Sequence, residues 1–306
     1  MAKLVDLRKR MQTIQNIETI TRTLATVSAA KLSRTRQQAA GFREYTQKMR
    51  EILHEQQEYL AKTDLSLISL SPLLREKRNL DRIAVFLISA DRGMCGNYNL
   101  AACRLCLNFW NSREKNGQEV VFITKGIKGQ KYLKKYGADI IHKESWRREG
   151  VLPKDVERIL SYLINLYITG EVDEIYAVYT QFYSPIQQKP KLTRLLPIKI
   201  PADEKPKDAK VEKWSYEPAP KAIIRELLAI YLRVQLYDVL LESFTSEQGA
   251  RMMTMEEATE RAEKTLRECR MMYNRLRREL ITNDLIGVLF ASSVIEETAE
   301  AHERLA

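Results

Sequence analysis

The sequence predicts a mixed fold, in which an antiparallel two-helix coiled coil formed by the two ends of the chain carries an inserted α/β domain. Residues 1 to about 60 and about 221 to 306 contain no proline, whereas all nine prolines lie between these segments. Each end has a narrow apolar stripe that needs a partner, and the two stripes can cover each other. Between them, short apolar runs alternate with helical patterns, which is typical of a small, mostly parallel sheet.

The first helix is predicted over residues 1–62. Its apolar side chains recur at steps of three and four residues, as expected for one buried stripe. They are Leu4, Leu7, Met11, Ile14, Ile17, Ile20, Leu24 and Val27, followed after a stretch of small residues by Phe42, Tyr45, Met49 and Ile52. Thr63, Asp64 and Pro72 then predict the end of the helix near residue 62.

The predicted middle domain spans residues 78–205. Strands are expected at 83–88, 119–124 and 174–181, with an edge strand over 192–200. Helical patterns follow through Trp110, around Gly129–Gly137 and over 153–169. This alternation predicts a parallel sheet with right-handed crossovers. Residues 201–213, rich in Pro, Lys and Asp, are interpreted as the linker to the last helix.

The last helix is predicted within residues 212–306 and should pack antiparallel against residues 1–62. Its apolar stripe is broad at first and narrower later. It comprises Ile224, Leu227, Leu228, Tyr231, Val234, Tyr237, Leu241 and Phe244, and then Met255, Ala258, Ala262, Leu266, Cys269, Tyr273, Leu276 and Leu280. Gly249 and Gly287 are the positions where this helix could bend.

Composition excludes several classes of protein. No apolar run approaches the roughly 18 residues needed to cross a bilayer, and the amino end lacks the apolar core of a signal peptide. The four cysteines are too few and too unevenly placed for a secreted disulfide framework, so reduced thiols are expected. We therefore expect a soluble protein on the cytoplasmic side.

Basic side chains are concentrated in the first helix of a chain whose net charge is +10. Within residues 1–50 the acidic side chains are Asp6, Glu18 and Glu44. This pattern fits phosphate binding, an acidic or polar protein sleeve around the helix, or an ordinary solvated face. Charge alone leaves these alternatives open.

The motifs that could carry chemistry favour structural roles. The loop Asp91–Gly96 follows a strand, where open sheets bind ligands, but it lacks the dinucleotide fingerprint and the Walker lysine. The segment Gly126–Lys131 has the wrong spacing for a P-loop. Cys103 and Cys106 form a CxxC without the second ligand pair that zinc needs, and no histidine belongs to a triad. We expect no catalytic residue, metal or cofactor.

Four strings occur in order along nearly the whole chain: IETITRTLATVSAAKLSRTR, FLISADRGMCGNYN, VYTQFYSPIQQKPKLTRLLPI, and SEQGARMMTMEEATE followed by YNRLRRELIT. In these strings the sequence resembles the gamma subunit of the rotary F-type ATP synthase. The resemblance implies a two-helix coiled coil with an inserted Rossmann-like domain. It also implies a central-stalk rotor that couples ion flow through a membrane ring to conformational change in catalytic subunits.

The resemblance further implies partners and a location. The alpha and beta subunits of the catalytic ring would surround the coiled coil, with the epsilon subunit and the membrane c-ring at its base. Association with the cytoplasmic face of the cell membrane would be peripheral, without nucleic acid. We expect that the chain alone neither hydrolyses ATP nor binds it tightly.

By motif position, the resemblance assigns partner contacts to Lys31, Arg251, Arg278 and Thr282. Arg251 matches an arginine that contacts a catalytic-subunit loop, whereas an arginine on a long helix is otherwise solvated or held in an intrahelical ion pair. We expect Arg251 to be exposed and dispensable for the fold. Arg278 stands where the family has glutamine, and Leu24-Ala25-Thr26-Val27 replaces a methionine-rich stretch. Both departures indicate a divergent branch, such as an alternate or ion-pumping version.

Two other function classes remain as alternatives. A basic coiled-coil scaffold that binds nucleic acid would explain the charge but not the ordered motifs, and aromatic side chains are not interleaved with the basic ones. A nucleotide-binding α/β enzyme with helical arms would be distinguished by nucleotide binding to the isolated chain.

Overall fold

The computed structural model describes residues 2–62, 71–75, 80–146, 150–199 and 220–303. The helices are α1 (Ala2–Lys62), α2 (Tyr98–Glu114), α3 (Ile127–Lys134), α4 (Pro153–Ile168) and α5 (Pro220–Glu303), with a short 3-10 helix at Pro72–Leu74. The strands are β1 (Arg82–Ile88), β2 (Glu119–Lys125), β3 (Ile140–Glu144), β4 (Glu174–Phe182) and β5 (Gln188–Leu196). None of the helices in these ranges is long and apolar enough to cross a membrane.

The five strands form one sheet in the order β3-β2-β1-β4-β5. The first four are parallel, and β5 pairs antiparallel with β4. The predicted strands β1, β2 and β4 and the intervening helices are confirmed, and the edge strand begins at Gln188 instead of residue 192. The sequence analysis missed β3, because this edge strand is only half-buried and lacks a continuous apolar run.

Helices cover both faces of the sheet, which explains the uninterrupted apolar sequence of β1. On one face Ala84, Phe86 and Ile88 pack with α4, with the part of α1 around Met49 and with the part of α5 around Leu228. The opposite face packs against α2 and α3. This second cluster comprises Ile83, Val85, Leu87, Ala102, Cys103, Cys106 and Leu133, with further residues of β2 and β4.

The two CxxC cysteines are part of this second cluster. Cys103 and Cys106 are 1% and 0% exposed. Burial raises the pKa of the Cys103 thiol to about 12 and raises that of Cys106 as well. Both thiols therefore stay protonated at neutral pH, and they fill space in the core.

Contacts divide the chain into two compact units, Ala25–Thr254 and Met1–Leu24 with Met255–Ala306. In the larger unit α1 and α5 run antiparallel, since the ring of Phe42 lies 4.6 Å from that of Tyr237 while Lys31 lies near Glu247. The predicted domain boundaries at residues 78, 205 and 212 lie outside the described residues.

In the smaller unit the two helices also pack side by side. Thr259 Oγ1 donates a hydrogen bond to Thr21 Oγ1 at 2.7 Å, and Arg22 pairs with Glu263 at 2.6 Å. The predicted pairing of the two terminal helices is confirmed.

The buried seam of α1 follows alternating three- and four-residue steps, as in a coiled coil. Its members are Leu4, Leu7, Met11, Ile14, Glu18, Thr21, Ala25, Ser28, Leu32, Thr35, Ala39, Phe42, Thr46, Met49 and Leu53. The predicted stripe was wrong at Ile17, Ile20 and Val27 and again at Tyr45 and Ile52, all of which are exposed. Between Ile17 and Val27 the seam instead takes the small or polar side chains of Glu18, Thr21 and Ala25.

The apolar stripe predicted for the second half of α5 is confirmed from Met255 to Leu280. Beyond it, every residue from Ile281 to Ser293 is exposed. Because Thr21 lies opposite Thr259 and the two helices are antiparallel, the start of α1 lies opposite this part of α5. The end of α5 therefore presents apolar side chains to solvent.

We predict that Leu266→Asp loosens the helix pair of the smaller unit. Leu266 is 6% exposed, and replacing a buried leucine with an unpaired carboxylate should cost about 3 kcal/mol or more. Circular dichroism melts and hydrogen exchange of residues 4–24 measure the loss. Met271→Asp is the control, because Met271 is 66% exposed. Equal melting and exchange in the two variants would contradict the pairing.

Candidate partner-contact surface

Helix α5 lies across the crevice where open α/β sheets usually bind ligands. That crevice is outside the carboxyl ends of the strands at the point where the strand order reverses, which in this sheet is between β1 and β4. Ala250 of α5 packs there against Ala90, Cys95 and Tyr98, which follow β1. The position of a nucleotide in related architectures is therefore filled by the chain itself.

Polar side chains of α5 complete the hydrogen bonds of this region. The backbone N–H of Phe182 donates to Glu242 Oε2 at 2.8 Å. Ser246 Oγ donates to the carbonyl of Thr180 at 2.9 Å. Tyr98 and Ser243 share a hydrogen bond of 2.7 Å between their hydroxyls. These contacts anchor α5 at the carboxyl end of β4 and at the start of α2.

Glycine allows α5 to approach Phe182 of β4 closely. A Cβ at Gly249 would lie 3.1 Å from Phe182 Cε2, so glycine permits the close approach. Helix α5 is continuous through this position and ends at Glu303. In the loop after β1, Gly96 has φ +53, as a turn glycine should. Met94 also has a positive φ, of 60, and its side chain is exposed.

The segment that superficially resembles a P-loop uses its amides within the chain. The N–H of Ile127 donates to Asp91 Oδ1 at 3.0 Å. The N–H of Gly129 donates to Ser89 Oγ at 2.8 Å, and that of Lys128 to the carbonyl of Ala90. Since these donors already have partners, the start of α3 offers no cradle of free amides for phosphate.

The expected exposure of Arg251 is wrong. Its side chain is only 11% exposed, and its Nη1 lies 2.7 Å from Glu247 Oε1. Its Nη2 donates a long hydrogen bond, 3.5 Å, to the carbonyl of Gly93. The intrahelical ion pair that the sequence left open is therefore formed, and it also ties α5 to the loop after β1. A partner contact by Arg251 stays a prediction.

Glu247 is the centre of this cluster, and the sequence analysis missed it. Burial raises the pKa of Glu247 above its ordinary value of 4.5, although the positive charges of Arg251 and Lys31 oppose the shift. Its Oε2 is buried without a hydrogen-bond partner among the described residues. Lys31 is exposed on α1 nearby, so two of the four assigned contact residues meet around one carboxyl group.

Arg278 and Thr282 lie together in the smaller unit, one turn apart on α5. Both are exposed. Thr282 Oγ1 donates to the carbonyl of Arg278 at 2.9 Å, and Arg278 Nε donates to that of Asn274 at 3.4 Å. The guanidinium of the exposed Arg278 has further N–H donors, which suits contact with carbonyl or carboxylate oxygens.

The sequence of α5 contains a signal for its buried polar residues. The polar run Glu242, Ser243, Thr245, Ser246, Glu247 and Gln248 interrupts the apolar stripe of α5, yet all six are buried. The four-residue spacing of Glu247 and Arg251 suits an ion pair. Within the described ranges, no three His, Cys, Asp or Glu side chains are placed to hold a metal ion.

We predict that Arg251→Ala destabilises the larger unit by about 3 kcal/mol, because it leaves the buried Glu247 carboxylate unpaired. The free energy of unfolding in urea measures the loss. Adding Glu247→Gln should recover part of it. Arg261→Ala is the matched control, since Arg261 pairs with Glu257 at the same spacing but is 82% exposed, and it should change stability by at most about 0.5 kcal/mol.

The same prediction has a pH signature. Because the native Glu247 carboxyl binds its proton more tightly than the unfolded one, its contribution to stability falls as pH rises from about 4.5 through the raised native pKa. Without Arg251 the native pKa rises further, so the loss should be larger at pH 8 than at pH 5. A pH-independent loss, or one no larger than that of Arg261→Ala, would contradict the proposed role of the pair.

Comparison with known proteins agrees with this architecture. The family model described as ATP synthase matches residues 3–293. The ATP synthase gamma chain of Moorella thermoacetica is 31% identical over 298 residues, covering 97% of this chain and 100% of the relative. That of Geobacter sp. strain M21 is 32% identical over 302 residues, with the same coverage.

Solved structures share the fold. The chain superposes on a rotor chain of the Euglena gracilis mitochondrial ATP synthase with a TM-score of 0.58 and 15% identity, covering 92% of this chain and 99% of that one. A chain of the Tetrahymena thermophila central stalk and c-ring gives a TM-score of 0.57 at 20% identity, covering 78% and 99%. On the sequence matches, the chain belongs to the ATP synthase gamma chain family.

Proposed function

We propose that this chain is the central-stalk rotor subunit of an F-type ATP synthase. The observation that carries the proposal is helix α5. Its first third is held to the sheet by buried hydrogen bonds, in which Glu242 accepts from Phe182 and Ser246 donates to Thr180. The same helix continues to Glu303. A continuous helix with one firmly held section can transmit torque to whatever contacts its exposed section.

The partners follow from this role. The alpha and beta subunits of a catalytic ring would contact the helix pair, and the epsilon subunit and membrane c-ring would bind its base. Support comes from the gamma chain relatives and from structural neighbours described as central stalk with c-ring and as OSCP, F1 and c-ring. The nucleic-acid scaffold considered from the charge pattern receives no support from these matches.

In the proposed assembly the chain catalyses no reaction itself. It would couple ion flow through the membrane ring to conformational change in the catalytic subunits, which make or hydrolyse ATP. Filling of the ligand crevice by α5 supports this assignment, because the sheet then has no open nucleotide position at its switch point. Association with the cytoplasmic face of the membrane would be peripheral and would depend on the complex.

We predict that an affinity tag on this chain, expressed in its own cells, recovers the alpha, beta and epsilon subunits from detergent-solubilised membranes. The recovered complex should hydrolyse ATP, and a bead attached to this chain should rotate during hydrolysis. The purified chain alone, the control, should neither hydrolyse ATP nor bind it with micromolar affinity in calorimetry. Recovery of nucleic acid in place of these subunits would contradict the function.

We predict that Arg278→Ala and Thr282→Ala lower the ATPase turnover of the complex without destabilising the isolated chain. Both residues are exposed, so the free energy of unfolding should change by at most about 0.5 kcal/mol. A charge-assisted hydrogen bond to a partner contributes about 1.5–3 kcal/mol, so losing one that forms in the rate-limiting orientation should slow turnover by roughly 10- to 150-fold.

Arg275→Ala is the matched control for these two variants. Arg275 lies on the same helix, is 79% exposed and pairs with Glu279 instead. If Arg275→Ala and Arg278→Ala reduce turnover equally, the effect is one of general charge and the assigned contact is wrong.

A further inference from the structure

A groove between α1, the start of α4 and α5 is lined by none of the four residues assigned to partner contacts. It lies within the larger unit and has a volume of about 450 Å³, in the usual range of small-molecule sites. Val156 and Val234 form a buried floor, and the rings of Phe42, Tyr45 and Tyr237 form the walls. Most of its surface is therefore apolar and aromatic.

Gly41 opens this groove. It lies in the interior of α1, where glycine is less favourable than any residue except proline. A Cβ built at Gly41 would meet no atom within 4 Å, so close packing does not require glycine at this position. Ordinary helical backbone does not require it either. Because Gly41 has no side chain, the space over the neighbouring aromatic rings stays free.

The aromatic walls are arranged to receive a further ring. The ring of Phe42 lies 4.6 Å from that of Tyr237, at a tilt of 49°, and 6.0 Å from that of Tyr45. Tyr45 is 48% exposed. Aromatic rings prefer tilted or offset neighbours with centroids 4.5–7 Å apart, so a planar ligand over Gly41 can contact all three.

The two charged side chains that line the groove, Arg233 and Glu157, are paired with each other. Arg233 Nε and Glu157 Oε1 pair at 2.6 Å, with both side chains about half exposed. A charged ligand would have to compete with this pair, whereas a neutral ring can leave it intact and reach the amide of Gln38 at the same rim. We propose that the groove binds an uncharged aromatic small molecule.

The test uses two fluorescent probes with the same ring system. N-phenylnaphthylamine is neutral, and anilinonaphthalene sulfonate adds one negative charge. Titration of the purified full-length chain should show one saturable site for the neutral probe and at least about tenfold weaker binding of the sulfonate. Gly41→Phe should abolish this site, because its ring fills the groove, whereas Gly41→Ala should retain it.

Gly287→Phe controls for nonspecific binding. Gly287 is also a helical glycine with no atom within 4 Å of its Cβ, but it lies among the exposed apolar residues of α5. This variant should keep the saturable site. Equal binding by the wild type and Gly41→Phe would overturn the proposal, because the probe would then bind elsewhere.

The assembled complex distinguishes a ligand site from a subunit contact. Neutral-probe binding that persists in the complex purified through this chain, and is lost with Gly41→Phe, supports a small-molecule site. Binding by the free chain that disappears on assembly would overturn the proposal, because a partner side chain would then be the occupant. The free-chain titration does not depend on assembly, so a failed recovery of partners would contradict the rotor function and not the site.

Discussion

Side chains of α5 satisfy backbone groups at the carboxyl end of β4, and the register of α5 against the sheet depends on this contact. An apolar stripe that repeats every three to four residues can slide by one heptad at little cost, so hydrophobic packing alone sets the register of α5 weakly. Glu242 and Ser246 remove that freedom, because their hydrogen bonds to Phe182 and Thr180 form in one register. A slip would leave buried groups unpaired, at about 1–3 kcal/mol each.

The position of this contact also explains how a sheet of nucleotide-binding type serves a mechanical role. The crevice beside β1 and β4 is where such a sheet offers free backbone groups and a concave surface. Here a helix of the same chain uses both, and Gly249 lets it approach Phe182 closely. Torsional load on α5 is thus borne by buried hydrogen bonds and tight packing. The crevice that binds ligands in other open sheets is occupied here by α5, which is consistent with membership of the gamma chain family.

The sequence predicted those elements whose burial is decided locally. Strand β1 is buried on both faces, so its apolar run was sufficient, whereas β3 contains His142, Lys143 and Glu144 at an edge and had no such signal. The seam of α1 was misassigned for a related reason. Ile17 and Ile20 lie on a stripe adjacent to the true one, and apolarity alone cannot tell which of two neighbouring stripes faces the partner helix.

The candidate site shows the same limit at the level of single residues. A Glu and an Arg spaced as Glu247 and Arg251 fit an exposed helix as well as a buried one. Their burial comes from the packing of α5 on the segment after β1, which is distant in sequence, since Gly93 lies 158 residues from Arg251. Arg251 therefore helps to hold α5 against the loop after β1, and its contact with a partner stays a prediction. If a variant of Arg251 lost turnover, the loss would combine the effect of loosened packing of α5 with the effect of a lost partner contact. Arg278 and Thr282 are exposed, so substitutions at these two positions test the predicted partner contact without disturbing buried packing.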